Sequence, residues 1–165
     1  MKNTNSAIQE LHSFIIKNEN NDSDAWNIGG YDDDAIRILE DYFTDFDWQE
    51  LKLDLENWNT NQLEILAYCI VNGNGKHNDL NYKLNIDRRI NLLPTLLSIS
   101  MSRESNEIGN ALAYNIEFLN MGNPIAVETI NEIAVYFNFS NREKENIEND
   151  SILKNLQIAF NRASR

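Results

Sequence analysis

Acid–base catalysis, cation binding and metal ligation all draw on carboxylates, and carboxylates crowd the stretch YDDDAIRILEDYFTDFDWQELKLDLENW, residues 31–58. Ten fall there (Asp32, Asp33, Asp34, Glu40, Asp41, Asp45, Asp47, Glu50, Asp54 and Glu56), against only Arg37 and Lys52. A catalytic carboxyl pair needs one member in an apolar pocket that keeps it protonated. Helical spacing instead puts these acids on polar faces, so no pair is singled out. The acidic triplets Asp22-Ser23-Asp24 and Asp32-Asp33-Asp34 resemble fragments of calcium loops. Neither keeps the required register, with ligands at alternating positions, glycine at the sixth and glutamate at the twelfth.

The rest of the inventory is short. His12 and His77 are the only histidines, far apart and without a ligand-type spacing to Cys, Glu or each other. Cys69 is the single cysteine, and the apolar run LEILAYCIV around it predicts a buried, unreactive thiol. Gly29-Gly30 and the NGNG of residues 72–75 lack the following lysine-threonine pair or the surrounding strand of a phosphate cradle. The expectation is a protein with no catalytic residues, no metal site and no cofactor.

What remains is the distribution of charge. The net charge is −12; residues 19–64 hold 14 acids and two bases, and the remaining 12 acids are balanced by 12 bases. The imbalance therefore lies wholly in one segment. Such segregation makes a directional field that attracts basic macromolecules and repels nucleic acid, so direct nucleic-acid binding is disfavoured. The N-terminal residues do not read as a secretory signal, and no apolar run approaches the roughly 20 residues of a membrane helix. The sequence thus predicts a cytoplasmic protein without a membrane partner.

The elements that carry these residues read as helices throughout. Ile36, Leu39 and Phe43 recur at helical spacing, and Asp47 with Glu50 has the form of a capping box opening a helix with an apolar stripe of Trp48, Leu51, Leu55 and Trp58. Asp47, Glu50 and Asp54 would form its acidic stripe. Leu63, Leu66, Ala67 and Ile70 line a helix ending at Asn72-Gly73, and Asn123-Pro124 opens one continued by Ile130, Ile133, Ala134 and Phe137. Ser140 and Glu143 form another capping box, and Ile152, Leu156, Ala159 and Phe160 mark a last helix. Around Pro94 either a kinked helix or two short ones is expected. Residues 72–85 form the one long loop candidate, with room for a small hairpin.

At 165 residues the chain can bury about two thirds of the surface its unfolded form exposes, and it reads as one domain, 1–165. The predicted class is all-α, a compact array or bundle of about seven to nine helices. Leu66-Ala67-Tyr68 reappears as Leu112-Ala113-Tyr114, displaced by 46, and a second step reaches Ile158-Ala159-Phe160. That period lies within the roughly 40–47 residues of HEAT and armadillo repeats. A stacked array and an irregular bundle both accommodate it.

Phe43, Trp48 and Trp58 read as core, but Trp26, Tyr31, Tyr42 and Phe46 fall near helix ends or loops. Tyrosines and other aromatics anchor protein interfaces, and an acidic surround accelerates encounter with a basic partner. The candidate partner-binding face is Tyr31, Asp32, Asp33, Asp34, Glu40, Asp41, Tyr42, Asp45, Phe46, Asp47, Glu50 and Asp54. On this stretch and the following LEILAYCIVNGNG, the chain resembles the immunity proteins that neutralise bacterial polymorphic toxins, including those of contact-dependent growth inhibition systems. The resemblance implies a cognate toxin as partner. With no secretory signal read, that toxin would act in the cytosol and would be a nuclease, basic because it binds phosphate backbones. It would be inhibited by active-site occlusion or at a neighbouring surface. Two other readings fit the same residues: a helical-repeat adaptor holding a host protein or peptide, and an acidic nucleic-acid mimic that inhibits a DNA-binding enzyme.

Overall fold

A computed structural model describes residues 4–72, 82–114 and 123–136. The described residues form nine α-helices and one 3₁₀ turn, with no strand. Asn5 starts α1 (Ser6–Asn18) by accepting from the amides of Ala7 and Ile8. Asp22 caps the short α2 (Ser23–Asn27) through the amide of Ala25. The Gly29-Gly30 pair then makes the turn into α3 (Tyr31–Tyr42). A Cβ on Gly29 would collide with the Ala25 carbonyl oxygen, and Gly30 has φ 78°, so both positions favour glycine for packing and turn geometry.

α4 (Asp45–Asp54) begins earlier than the sequence predicts. Its capping box is Thr44 with Asp47, not Asp47 with Glu50. Asp47 Oδ2 accepts from the Thr44 amide (2.7 Å) and hydroxyl (2.6 Å), while its Oδ1 accepts from Asn5 Nδ2 (2.6 Å), tying the start of α4 to the start of α1. Leu55–Asn57 tightens into the 3₁₀ turn, after which Asn59 and Gln62 cap α5 (Thr60–Asn72) reciprocally, each side chain accepting from the other's amide.

Pro94 separates two helices rather than bending one. α6 (Tyr82–Ile90) ends before a turn at Asn91-Leu92, and Pro94 sits in the first turn of α7 (Leu93–Ser102), where its missing N–H costs nothing. The loop expected to reach residue 85 gives way to α6 at Tyr82. Glu104 takes a left-handed φ of 51° in the Schellman-type end of α7, with Ser105 N donating to Ser100 O (2.9 Å). α8 (Asn106–Tyr114) follows, and α9 (Pro124–Tyr136) opens as predicted, Asn123 Oδ1 accepting from Ile125 N. The expected helix stop at Gly73, His77, Phe137, the Ser140–Glu143 box, the helix of residues 152–160 and the third copy of the triplet lie outside the described residues. So do the side chains of Ile130, Ile133 and Ala134.

Packing proceeds from neighbour to neighbour: α1 and α2 on α3, α3 on α5, α5 on α8, α8 on α7, α7 on α9. Leu63, Leu66, Ala67 and Ile70 of α5 are fully buried, facing a core that includes Ile8, Leu11 and Ile15 of α1, Ile36 and Leu39 of α3, and Ile108 and Leu112 of α8. The pairing of α5 with α8 is the most extensive among the described helices, and these are the helices that carry the two copies of Leu-Ala-Tyr. Elements related by the 46-residue displacement are therefore stacked side by side, as in an array.

Two of the described arginines are committed to this scaffold. Buried Arg89 donates twice to the Ile70 carbonyl (3.0 and 2.7 Å), satisfying an acceptor in the last turn of α5. Arg103 donates to the carbonyls of Trp58 and Glu56, fixing the 3₁₀ turn.

Candidate protein-binding face

The twelve residues predicted to face a partner divide into three groups. Asp32 and Asp54 belong to the interior, which corrects their assignment to an exposed surface. Asp32 is 3% exposed and accepts from Asn72 Nδ2 (2.5 Å) and the Asp33 amide (2.8 Å). Asp54 is 8% exposed and accepts from the Trp58 indole N–H (2.9 Å) and from Asn57 Nδ2. The acidic stripe expected along α4 loses its last member. Burial pushes the Asp32 carboxyl up from its ordinary value, against the hydrogen bonds it accepts.

A second group is half-buried and serves the scaffold. Tyr31 packs edge-to-face with Phe14 (6.1 Å) and Trp26 (5.7 Å). Trp26 is itself core, so its position near a helix end does not leave it available. Asp47 is the cap described above, and the bonds from Thr44 and Asn5 hold its carboxyl below the usual range. Asp34 pairs with Arg37 one turn on. Asp33 and Glu50 are also half-buried. Burial raises the Glu40 carboxyl, opposed by the charge of Arg89.

The third group is exposed: Asp41, Tyr42, Asp45 and Phe46. Tyr42 ends α3 with 65% of its surface accessible, and Phe46, in the first turn of α4, has 67%. Only Phe43 and Thr44 separate the two helices. Asp45 keeps its exposure while receiving the Arg88 guanidinium of α6 (2.6 and 3.1 Å).

Leu53, 73% exposed, is the residue sequence reasoning missed. It lies seven residues after Phe46, two turns along the same face of α4, with Gln49 and Glu50 between them. The opposite face buries Trp48 and Leu51 in the core, Trp48 edge-to-face with Phe43 at 5.7 Å. α4 is thus apolar on both sides. A signal existed in the sequence: Phe46, Trp48, Leu51, Leu53 and Leu55 occupy too many helical positions for one stripe to hold.

Among the described residues, no group of three His, Cys, Asp or Glu side chains could hold a metal ion. Cys69 is fully buried, and burial pushes its thiol well above the ordinary value. No described helix is long and apolar enough to cross a membrane. No protein-family model, no curated protein and no solved structure matches this chain.

Proposed function

We propose that this chain is an immunity-type inhibitor that binds a basic, cytosol-acting toxin, a nuclease in the first instance, with the outer face of α4 as its anchor and with the protein remaining in the cytoplasm. The observation that carries the reading is the pair Phe46 and Leu53, exposed along a helix whose other face is already core. A large apolar side chain exposed alone is ordinary. Two in register on one helix, with Tyr42 at the adjoining helix end and Asp41 and Asp45 beside them, match an interface patch with apolar anchors and a charged rim. The acid excess of residues 19–64 supplies the long-range attraction.

The adaptor reading draws separate support from the stacking of α5 on α8, which is how repeat proteins build an extended binding surface. Both readings make the chain a binder of protein; only the immunity reading makes that partner basic.

The test uses the protein encoded beside this chain's gene, purified and mixed with the full chain in stopped-flow association and dissociation. Phe46→Ala and Leu53→Ala should each speed dissociation, by about 30-fold where the residue is a hot spot worth about 2 kcal/mol. Ala at Glu128 and Glu132, exposed on α9, should change it little. Equal effects from the two sets would remove α4 as the anchor, and no association with a basic neighbour would remove the immunity reading.

A further inference from the structure

The seam between α5 and α8 opens on one side into a cleft of about 530 Å³, within the size range of small-ligand and side-chain pockets. Its walls come from helical stripes: Asn61, Glu64, Ile65 and Tyr68 on α5, at positions i, i+3, i+4 and i+7, and Glu107, Asn110 and Ala111 on α8. Trp26 of α2, with Glu19 and Asp24 from either side of the α1–α2 turn, closes the third wall.

The two stripes are related by the repeat. Adding 46 to 61, 64 and 65 gives 107, 110 and 111, so three positions of one wall are matched by their counterparts on the other. A groove built from equivalent positions on adjacent helices is the surface on which stacked helical proteins hold extended segments.

The cleft's chemistry is one-sided. Several acids elsewhere have a partner: Asp34 has Arg37, Asp45 has Arg88, Asp47 has Thr44 and Asn5, and Asp54 has Trp58. Here four carboxylates (Glu19, Asp24, Glu64 and Glu107) line one concavity, and among the described residues no Lys, Arg or His lines it. Glu19 accepts only a long bond from Gln62 (3.4 Å), and Glu107 one from the Ser105 hydroxyl (3.1 Å). Burial, and then the charge of Glu107, push the Glu64 carboxyl above its ordinary value. Tyr68 and Ile65 add an apolar flank suited to the stem of a long side chain.

We infer that this cleft receives an arginine side chain carried on an extended segment of the partner protein, its guanidinium between Glu64 and Glu107 and its stem along Ile65 and Tyr68. Planar, forked donors match two carboxylates better than a point charge does, and they stack on aromatic flanks. The inference rests on the reading that the partner is a basic protein, but it concerns a surface other than the α4 face.

The experiment is a titration of the full chain, followed by amide and carboxyl NMR, with acetyl-Gly-Arg-Gly-amide and with the same peptide carrying citrulline. The arginine peptide should give saturable shifts confined to α5, α8 and the α1–α2 turn, and should lower the midpoint at which Glu64 titrates. The citrulline peptide should give neither. Glu64→Gln with Glu107→Gln should weaken the arginine peptide on the order of tenfold, the value of one charge-assisted pair. The Glu64 midpoint in the unaltered chain reads the same event should that variant fail to fold. Equal shifts from both peptides, or shifts spread over every exposed acid including those of α4, overturn the site. Spermine binding without arginine-peptide binding also overturns it, because the ligand would then be a free polyamine. Phe46→Ala should leave the titration unchanged, so a silent cleft with α4-dependent partner capture removes this inference alone. The converse removes only the α4 anchor.

Discussion

Trp58 shows how a single residue can organise its surroundings through a stacked ring and one polar atom. Its ring stacks on His12 (4.3 Å between centroids, 15° between planes), and its indole N–H donates to buried Asp54 (2.9 Å). His12 in turn meets Gln62 at 3.0 Å, which links α1 to α5 beside the Trp58 ring. Asp54→Ala leaves the buried indole donor without its acceptor, and should cost about 1 to 3 kcal/mol, read as a lower urea midpoint at unchanged slope. Asp54→Asn keeps an acceptor oxygen and should cost clearly less; equal losses would mean that the carboxylate charge, not the hydrogen bond, holds Trp58. Buried acids were the least legible residues in the sequence. Asp32 sits in a run of three aspartates and looks solvated, yet the partner that permits its burial, Asn72, is forty residues away in sequence. Nothing within reach of local pattern distinguishes it from Asp33.

At the level of elements, helix class was legible, and so was a start marked by a local cap, Asn123-Pro124 at α9; Pro94, in the first turn of α7, divides two short helices, one of the two outcomes expected around it. α4 is the instructive exception. Asp47-Trp48-Gln49-Glu50 and Thr44-Asp45-Phe46-Asp47 both have capping-box form, and the second prevails because Asp47 also accepts from Asn5 across to α1. That earlier start places Phe46 inside the helix and in register with Leu53. Thr44→Ala should therefore cost about 1 kcal/mol of stability. It should also raise amide exchange in the first turn of α4 while leaving its last turn unchanged. Uniform exchange along the helix would show that the cap is not what defines its start. The cleft between α5 and α8 was not legible as a site, since its walls come from three separated stretches. Its only trace in the sequence is that the stripes at 61, 64, 65 and 107, 110, 111 share the displacement already visible in Leu-Ala-Tyr.

For the molecule as a whole, the excess of carboxylates has a consequence for stability that runs opposite to ordinary acid denaturation. Asp32, Glu40 and Glu64 are each raised above their ordinary values, 3.8 for the aspartate and 4.5 for the glutamates, chiefly by burial. Between its unfolded and folded titration points, each such group holds a proton in the folded state that the unfolded chain has released. Stability contributed this way is fully present below the unfolded value and is lost as pH rises through the folded one. The self-repulsion of a chain carrying −12 adds in the same direction, because protonation relieves it. Asp47 opposes: its carboxyl is lowered by Thr44 and Asn5, so its contribution is present above 3.8 and is lost as pH falls through the depressed value. The two tendencies occupy different windows. Acidifying from pH 7 toward about 4.5 should raise the thermal midpoint, and only further acidification should lower it. Asp32→Asn, which keeps an acceptor for Asn72 while removing the titration, should flatten the upper part of that profile. A thermal midpoint that falls steadily from pH 7 downward in the unaltered chain would mean that the buried carboxyls are better compensated than their surroundings indicate. The acid excess would then be an outer-surface property alone, available in full to a partner and without cost to the fold.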